Sequence, residues 1–164
     1  MLPPPFSSLA ASIESFAQNA PSLAALQQFI VERIAQSLST YNWAGFYMLD
    51  PHDPETLVLG PFAGAPTEHI RIPVSRGICG AAVARGETIV VDDVASDPRY
   101  LACSLETRSE IVVPIRARGR IVGEIDIDSH TPAAFTPDDR AFLEQCAVLV
   151  GSFIDRTEPP VAPS

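Results

Sequence analysis

Residues 109–129, SEIVVPIRARGRIVGEIDIDS, constrain the fold more than any other stretch. Two runs rich in β-branched residues flank Ala117-Arg118-Gly119, and a three-residue loop with glycine in the left-handed position suits that join. The spacing predicts a β-hairpin with Arg116 facing Arg120, Ile111 facing Ile125, Val113 facing Gly123 and Glu110 facing Asp126. Side chains on a strand alternate. Ile111, Val113, Ile115, Ile121, Ile125 and Ile127 therefore form a core face, while Glu110, Val112, Pro114, Val122, Glu124, Asp126 and Asp128 form the other. Acids placed side by side across strands repel, so this second face requires open water, shared protons or a bound cation. A half-solvated antiparallel sheet meets the requirement. So does an acidic pocket for an ammonium group, which the apolar Val112, Pro114 and Val122 on the same face favour.

The rest of the chain supplies elements to cover such a sheet. A short amphipathic helix is expected over about Ser7–Asn19. Pro21-Ser22 opens a second, Leu23–Leu38, with Leu23, Leu26, Ile30, Ile34 and Leu38 as its apolar stripe. Tyr41–Asp50 reads as a strand, with Trp43, Gly45, Tyr47 and Leu49 on one face and Ala44, Phe46 and Met48 on the other. Gly45 between two aromatic residues is either a packing glycine in a core or the floor of a ligand slot. Strands are expected at Thr56–Phe62 and His69–Pro73, a short helix at Ala81–Arg85, a buried strand at Thr88–Val91 and a loop over Asp92–Leu101. The last helix has Thr136 as candidate N-cap, Pro137 in the first position and Asp138 and Asp139 against the dipole. This is an α+β plan: one antiparallel sheet with its long N- and C-terminal helices on one face, and a roof of loops and a short helix from residues 64–109 on the other.

The 164 residues fit a single domain spanning 1–164, with an ordered core over about 7–156 and proline-rich ends. Net charge is −9, and all eleven basic residues are arginine. Such a chain lacks the basic patches that a phosphate backbone requires, so no nucleic-acid partner is expected. No apolar run reaches the length of a membrane span. MLPPPF does not resemble a signal peptide. Three irregularly spaced cysteines do not suggest a secreted disulfide framework, so the cytosol is the expected compartment.

Cys146 lies on the apolar face of the last helix and reads as a small core residue. Cys79 follows Gly77 at the start of a helix, where the dipole, with Arg76 nearby, favours a thiolate. Cys103 sits in a loop between Arg99 and Arg108. Both lie in the expected roof over the acidic face. There is no CxxC, and His52, His69 and His130 are scattered, so no metal site is expected. GxSxG and the P-loop pattern are also missing, and no cofactor is implied.

Together NWAGFY (Asn42–Tyr47), LVLGPFAG (Leu57–Gly64), IPVSRGICGAAVA (Ile72–Ala84), Cys103 before SEIVVP (Ser109–Pro114), and GEIDIDS (Gly123–Ser129) resemble the free methionine-(R)-sulfoxide reductases, a family of GAF-domain enzymes. The likeness runs from about residue 25 to 155 in conserved order. It implies a GAF-like fold and reduction of free L-methionine-(R)-sulfoxide. By likeness Cys103 matches the nucleophilic cysteine and Cys79 a second redox cysteine. Glu110, Asp126 and Asp128 match the pocket carboxylates, and Trp43 and Tyr47 the aromatic wall. Many members carry a further cysteine upstream of the position matching Cys79. This chain has none, which leaves Cys79 to resolve by default.

The resemblance implies a cycle. Cys103 would attack the sulfoxide sulfur, Glu110 or Asp128 would supply a proton to the oxygen, and the remaining acids would hold the substrate ammonium. A Cys103 sulfenic acid would condense with Cys79, and thioredoxin would reduce the disulfide. A different class remains open: a non-catalytic GAF module that senses a small ligand and signals through a homodimer built on its terminal helices.

Overall fold

The computed structural model describes residues 1–101 and 105–158. Its elements are α1 (Phe6–Asn19), α2 (Leu23–Ser37), β1 (Trp43–Asp50), β2 (Asp53–Ala63), β3 (Arg71–Pro73), α3 (Gly77–Arg85), β4 (Ile89–Val91), β5 (Ser109–Ala117), β6 (Arg120–Ser129) and α4 (Pro137–Thr157), with a 3₁₀ turn at Val94–Ser96. The six strands form one sheet in the order β3-β2-β1-β6-β5-β4, and every neighbouring pair is antiparallel. The expected α+β architecture holds.

One face of the sheet carries α1, α2 and α4. Ile111, Val113 and Ile115 of β5, Ile125 and Ile127 of β6, and Ala44 and Phe46 of β1 pack there against Ile13, Leu26, Ile30, Ile34, Phe142, Cys146 and Val150. The helices α2 and α4 start where the sequence predicts. Ser22 Oγ accepts from the Ala25 N–H at 3.1 Å. Thr136 and Asp139 form a reciprocal capping box, which satisfies two of the amides that a helix start leaves unpaired. Tyr41 donates its hydroxyl to Asp139 at 2.7 Å, tying that cap to the start of β1.

The opposite face is covered by α3, β3 and the segment around Val94. Ile72, Ile78, Ala82, Ile89, Val91, Val94 and Val112 form a second, smaller cluster there with Tyr47 and Leu57. Cys79 belongs to this cluster. The helix α3 begins four residues earlier than the sequence predicts. Gly77, at φ +73°, opens it, so Cys79 lies inside its first turn.

The central hairpin differs in register from the expectation. Arg118 and Gly119 both have positive φ, 54° and 74°, forming a two-residue turn with Ala117 opposite Arg120. That backbone twist suits a tight hairpin better than the longer loop. A bulge then skips Val122, so Arg116 pairs with Ile121 but Ile115 pairs with Gly123. Together these shift the pairing by two residues. Glu110 lies opposite Asp128, and Asp126 lies opposite Val112. A shift of two leaves the faces intact, whereas a shift of one would have exchanged them. The bulge does exchange them beyond Gly123. Val122 packs with the helix-side core, and Ile121 approaches Gly86 at the end of α3. The expected places of Ile121 and Val122 are thereby reversed.

Candidate active site

The acids of the second face are not solvated. Glu110, Glu124, Asp126 and Asp128 are 4%, 0%, 1% and 2% exposed. Alternation along β5 and β6 puts all four on one surface, and α3 is laid over both strands to cover it. The half-solvated sheet is thus excluded in favour of a pocket. Three carboxylates, Glu124, Asp126 and Asp128, have buried oxygens without a hydrogen-bond partner. A buried ionised group without a partner is costly, so such groups take up protons instead.

Electrostatics divide the cluster. Burial pushes Glu110 well above the ordinary carboxylate range, and repulsion from Asp126 and then Asp128 pushes it further. Both aspartates are raised by burial, but a hydrogen bond from Glu110 opposes the rise in each. All three groups are thus held toward their protonated forms, with Glu110 placed to share protons with both aspartates. Glu124 is likewise raised well above its usual range, first by burial.

Cys79 closes the cluster from above. Its thiol donates to Asp126 Oδ2 at 3.5 Å. The expected thiolate at a helix start is corrected here: burial pushes the thiol well up, and Asp126, Glu124 and Glu110 add to the rise. Burial and three acids outweigh the helix dipole, which contributes only about 1 kcal/mol. At rest Cys79 is a thiol.

The aromatic wall follows the strand register. On β1, Trp43, Gly45 and Tyr47 stand beside Asp128, Asp126 and Glu124 of β6. Trp43 leans over Gly45, where a Cβ would come within 2.3 Å of the indole. The space over Gly45 is therefore filled by Trp43 and is not an open slot. The indole N–H donates to the Ala65 carbonyl at 3.0 Å, and the Tyr47 hydroxyl to the His69 carbonyl at 2.7 Å. These bonds hold both rings in place.

The carboxylates separate two spaces. A cavity of about 10 Å³ is lined by Ile72, Gly77, Ile78, Cys79, Leu101, Glu110 and Asp126, room for about one water. A second, of about 230 Å³, is lined by Asn42, Trp43, Ala65, Pro66, Thr67, Glu106, Thr107, Asp128 and His130. Cys103 lies outside the described residues. The chain on either side of it contributes to both spaces, Leu101 to the first and Glu106 to the second. Cys146 is buried against the helices on the far side of the sheet, its thiol pushed up to about 12 by burial.

Of the expected site residues, the structure brings Cys79, Glu110, Asp126, Asp128, Trp43 and Tyr47 to one face. Glu124, Thr107 and His130 were not singled out from the sequence. Glu124 had a signal, its alternation with Asp126. Thr107 and His130 had none, because loop residues carry no period.

Residues 22–154 match the GAF domain family. The chain is 47% identical over 111 residues to Protein YtsP of Bacillus subtilis (strain 168), an alignment covering 68% of this chain and 67% of that protein. It is 40% identical over 123 residues to the free methionine-R-sulfoxide reductase of Escherichia coli (strain K12), covering 75% and 72%. Among solved structures, the free methionine-R-sulfoxide reductase of Neisseria meningitidis in complex with its substrate superposes with a TM-score of 0.86 at 35% identity, covering 92% of this chain and 90% of that one.

Proposed function

The chain belongs to the GAF-domain family of free methionine-R-sulfoxide reductases, and from that membership we propose that it reduces free L-methionine-(R)-sulfoxide to methionine. The observation that carries the proposal is the buried set of Glu110, Asp126 and Asp128 beneath a cysteine, with carboxylate oxygens left unpartnered. A substrate ammonium is the partner they lack. The 230 Å³ cavity has room for a small amino acid, and it brings Asp128 and Trp43 together.

Cys103 is the nucleophile in this reading. Cys103 is two residues from Leu101 and three from Glu106, spans of at most about 7 and about 11 Å, so Leu101 at one cavity and Glu106 at the other support its reach to both. Its sulfur attacks the sulfoxide sulfur. Glu110, which holds a proton between two aspartates, gives it to the sulfoxide oxygen. The oxygen passes to Cys103, methionine leaves, and Cys103 becomes a sulfenic acid. Asp126 and Asp128 hold the ammonium, and Trp43 and Tyr47 pack the S-methyl end.

Cys79 then attacks the sulfenic acid, forming a disulfide and releasing water. Asp126 is already hydrogen-bonded to that thiol, accepts its proton and passes it to the departing hydroxide, which leaves as water. The two Cα atoms must come within about 7 Å. A dithiol protein of the thioredoxin type takes the disulfide by exchange, which suits a cytosolic enzyme. A methionine sulfoxide within a peptide lacks the ammonium and leaves buried acids unpaired, which costs a few kcal/mol.

The test couples turnover to NADPH through thioredoxin and its reductase. Consumption with the free (R)-sulfoxide, and none with the (S)-sulfoxide or an N-acetylated substrate, is expected. Cys103→Ser abolishes turnover, and Cys79→Ser gives one turnover and a trapped sulfenic acid. Tight binding of the sulfoxide with no NADPH consumed would identify a sensor instead. Undiminished cycling by Cys79→Ser would remove Cys79 from the resolving role.

A further inference from the structure

We propose that Cys79, Glu110, Asp126 and Glu124 also form a binding site for a thiophilic divalent cation, Zn²⁺ or Cd²⁺, and that such an ion inhibits the enzyme reversibly. The inhibition rests on the reductase reading; the ion site does not.

Ligand atoms of Cys79, Glu110 and Asp126 lie within 4.8 Å of one another, and all three residues are buried. The Cys79 sulfur and Asp126 Oδ2 are 3.5 Å apart. That is about the separation of two ligands on a tetrahedral ion with bonds near 2.0–2.3 Å.

Two further observations point to a cation. Asp126 keeps its other oxygen, Oδ1, buried and unpartnered. Glu124 is fully buried, both its oxygens are unpartnered, and it neighbours the Cys79 thiol from the same strand face as Asp126. Glu124 stands beside the Cys79–Glu110–Asp126 trio as the candidate fourth ligand. The donor set selects the ion. Mg²⁺ and Ca²⁺ take oxygen ligands and gain nothing from a thiol. Zn²⁺ and Cd²⁺ accept thiolate together with carboxylate.

Protons balance the binding. The ion displaces the Cys79 proton and the proton held by Glu110, both of which leave to solvent as the metal–sulfur and metal–oxygen bonds form. The bound ion takes Asp126 away from the substrate ammonium and withholds the Cys79 thiol from the sulfenic acid. Substrate and ion therefore compete.

Cd²⁺ is the probe, added to the full chain carrying Cys103→Ser so that Cys103 contributes no ligand. The expected result is one ion bound per chain, with the ultraviolet charge-transfer band of a cadmium thiolate and proton release measured by calorimetry in two buffers. Adding Cys79→Ser removes the band. Glu124→Gln weakens binding by about tenfold or more. Free methionine raises the apparent Kd for Cd²⁺ in the Cys103→Ser chain, a readout that needs no further mutation. A band that survives Cys79→Ser, no band at about 1 mM Cd²⁺, or no competition by methionine overturns the proposal. A chain that binds Cd²⁺ in this way but reduces no sulfoxide keeps the ion site and loses the reductase reading. An active reductase without the band loses the ion site alone.

Discussion

The two faces of the β5–β6 hairpin share backbone, register and depth of burial, and they differ only in what alternates along the chain. Toward the helices stand Ile111, Val113, Ile115, Ile125 and Ile127. Toward the roof stand Glu110, Glu124, Asp126 and Asp128. Burial stabilises the first set by about 25 cal/mol for each Å² of apolar surface removed from water. The second set pays a desolvation cost and keeps unpartnered oxygens. One face therefore holds the fold, and the other is held against its own chemistry. The stability of the helix face permits a pocket whose carboxylate oxygens stay unpartnered.

Substitutions on the two faces should move opposite quantities. Phe142→Ala, at a fully buried ring on the helix side, is expected to cost about 3–5 kcal/mol of stability in urea unfolding. The protein that stays folded should keep its KM. A KM change as large as the stability loss would mean that the faces are not independent. Glu110→Gln should do the reverse. It removes the proton holder, and kcat/KM for the (R)-sulfoxide should fall by about 100-fold, with stability unchanged or higher. A stability loss comparable to that of Phe142→Ala would show that Glu110 serves the core.

The pH dependence sharpens the contrast. The four carboxylates are raised above their usual range in the folded state. Between the unfolded carboxylate values near pH 4 and the raised folded values, the folded state holds protons that the unfolded chain has released. Stability should therefore fall as pH rises through that window, by up to about 1.4 kcal/mol per unit for each retained proton. Urea midpoints at pH 5.5 and 7.5 test this. Greater stability at pH 7.5 would contradict the proton count. Glu124→Gln removes one such group without removing volume, so it should raise stability at neutral pH by about 1 kcal/mol and flatten the slope. The smallest effect belongs to Cys146→Ala. Buried on the helix side, it should change kcat/KM by less than about twofold, and a larger change would implicate the far face in catalysis.

Much of this was legible in residues 109–129. Alternation separated the isoleucines from the acids, and that separation survived an error of two in the register because two is the strand period. The turn was read one residue too long, and the bulge at Val122 was invisible, so Glu110 was paired with Asp126 rather than Asp128. A bulge leaves no periodic trace, since it appears only when strands are matched across the sheet. Cys79 shows the same limit. Its place near a helix start was readable, and a local rule made it a thiolate. The three acids that reverse that outcome come from strands distant in sequence.

By itself the sequence determined the α+β plan, the caps at Ser22 and Thr136, and which residues of each strand share a face, because these depend on neighbours a few positions apart. Only the tertiary structure decided that the acidic face is roofed, that Glu110 sits between two aspartates, and that Cys79 rests as a thiol against Asp126. Solvent exclusion and charge repulsion act through space. They depend on how α3 lies across β5 and β6, which no local pattern in the chain encodes.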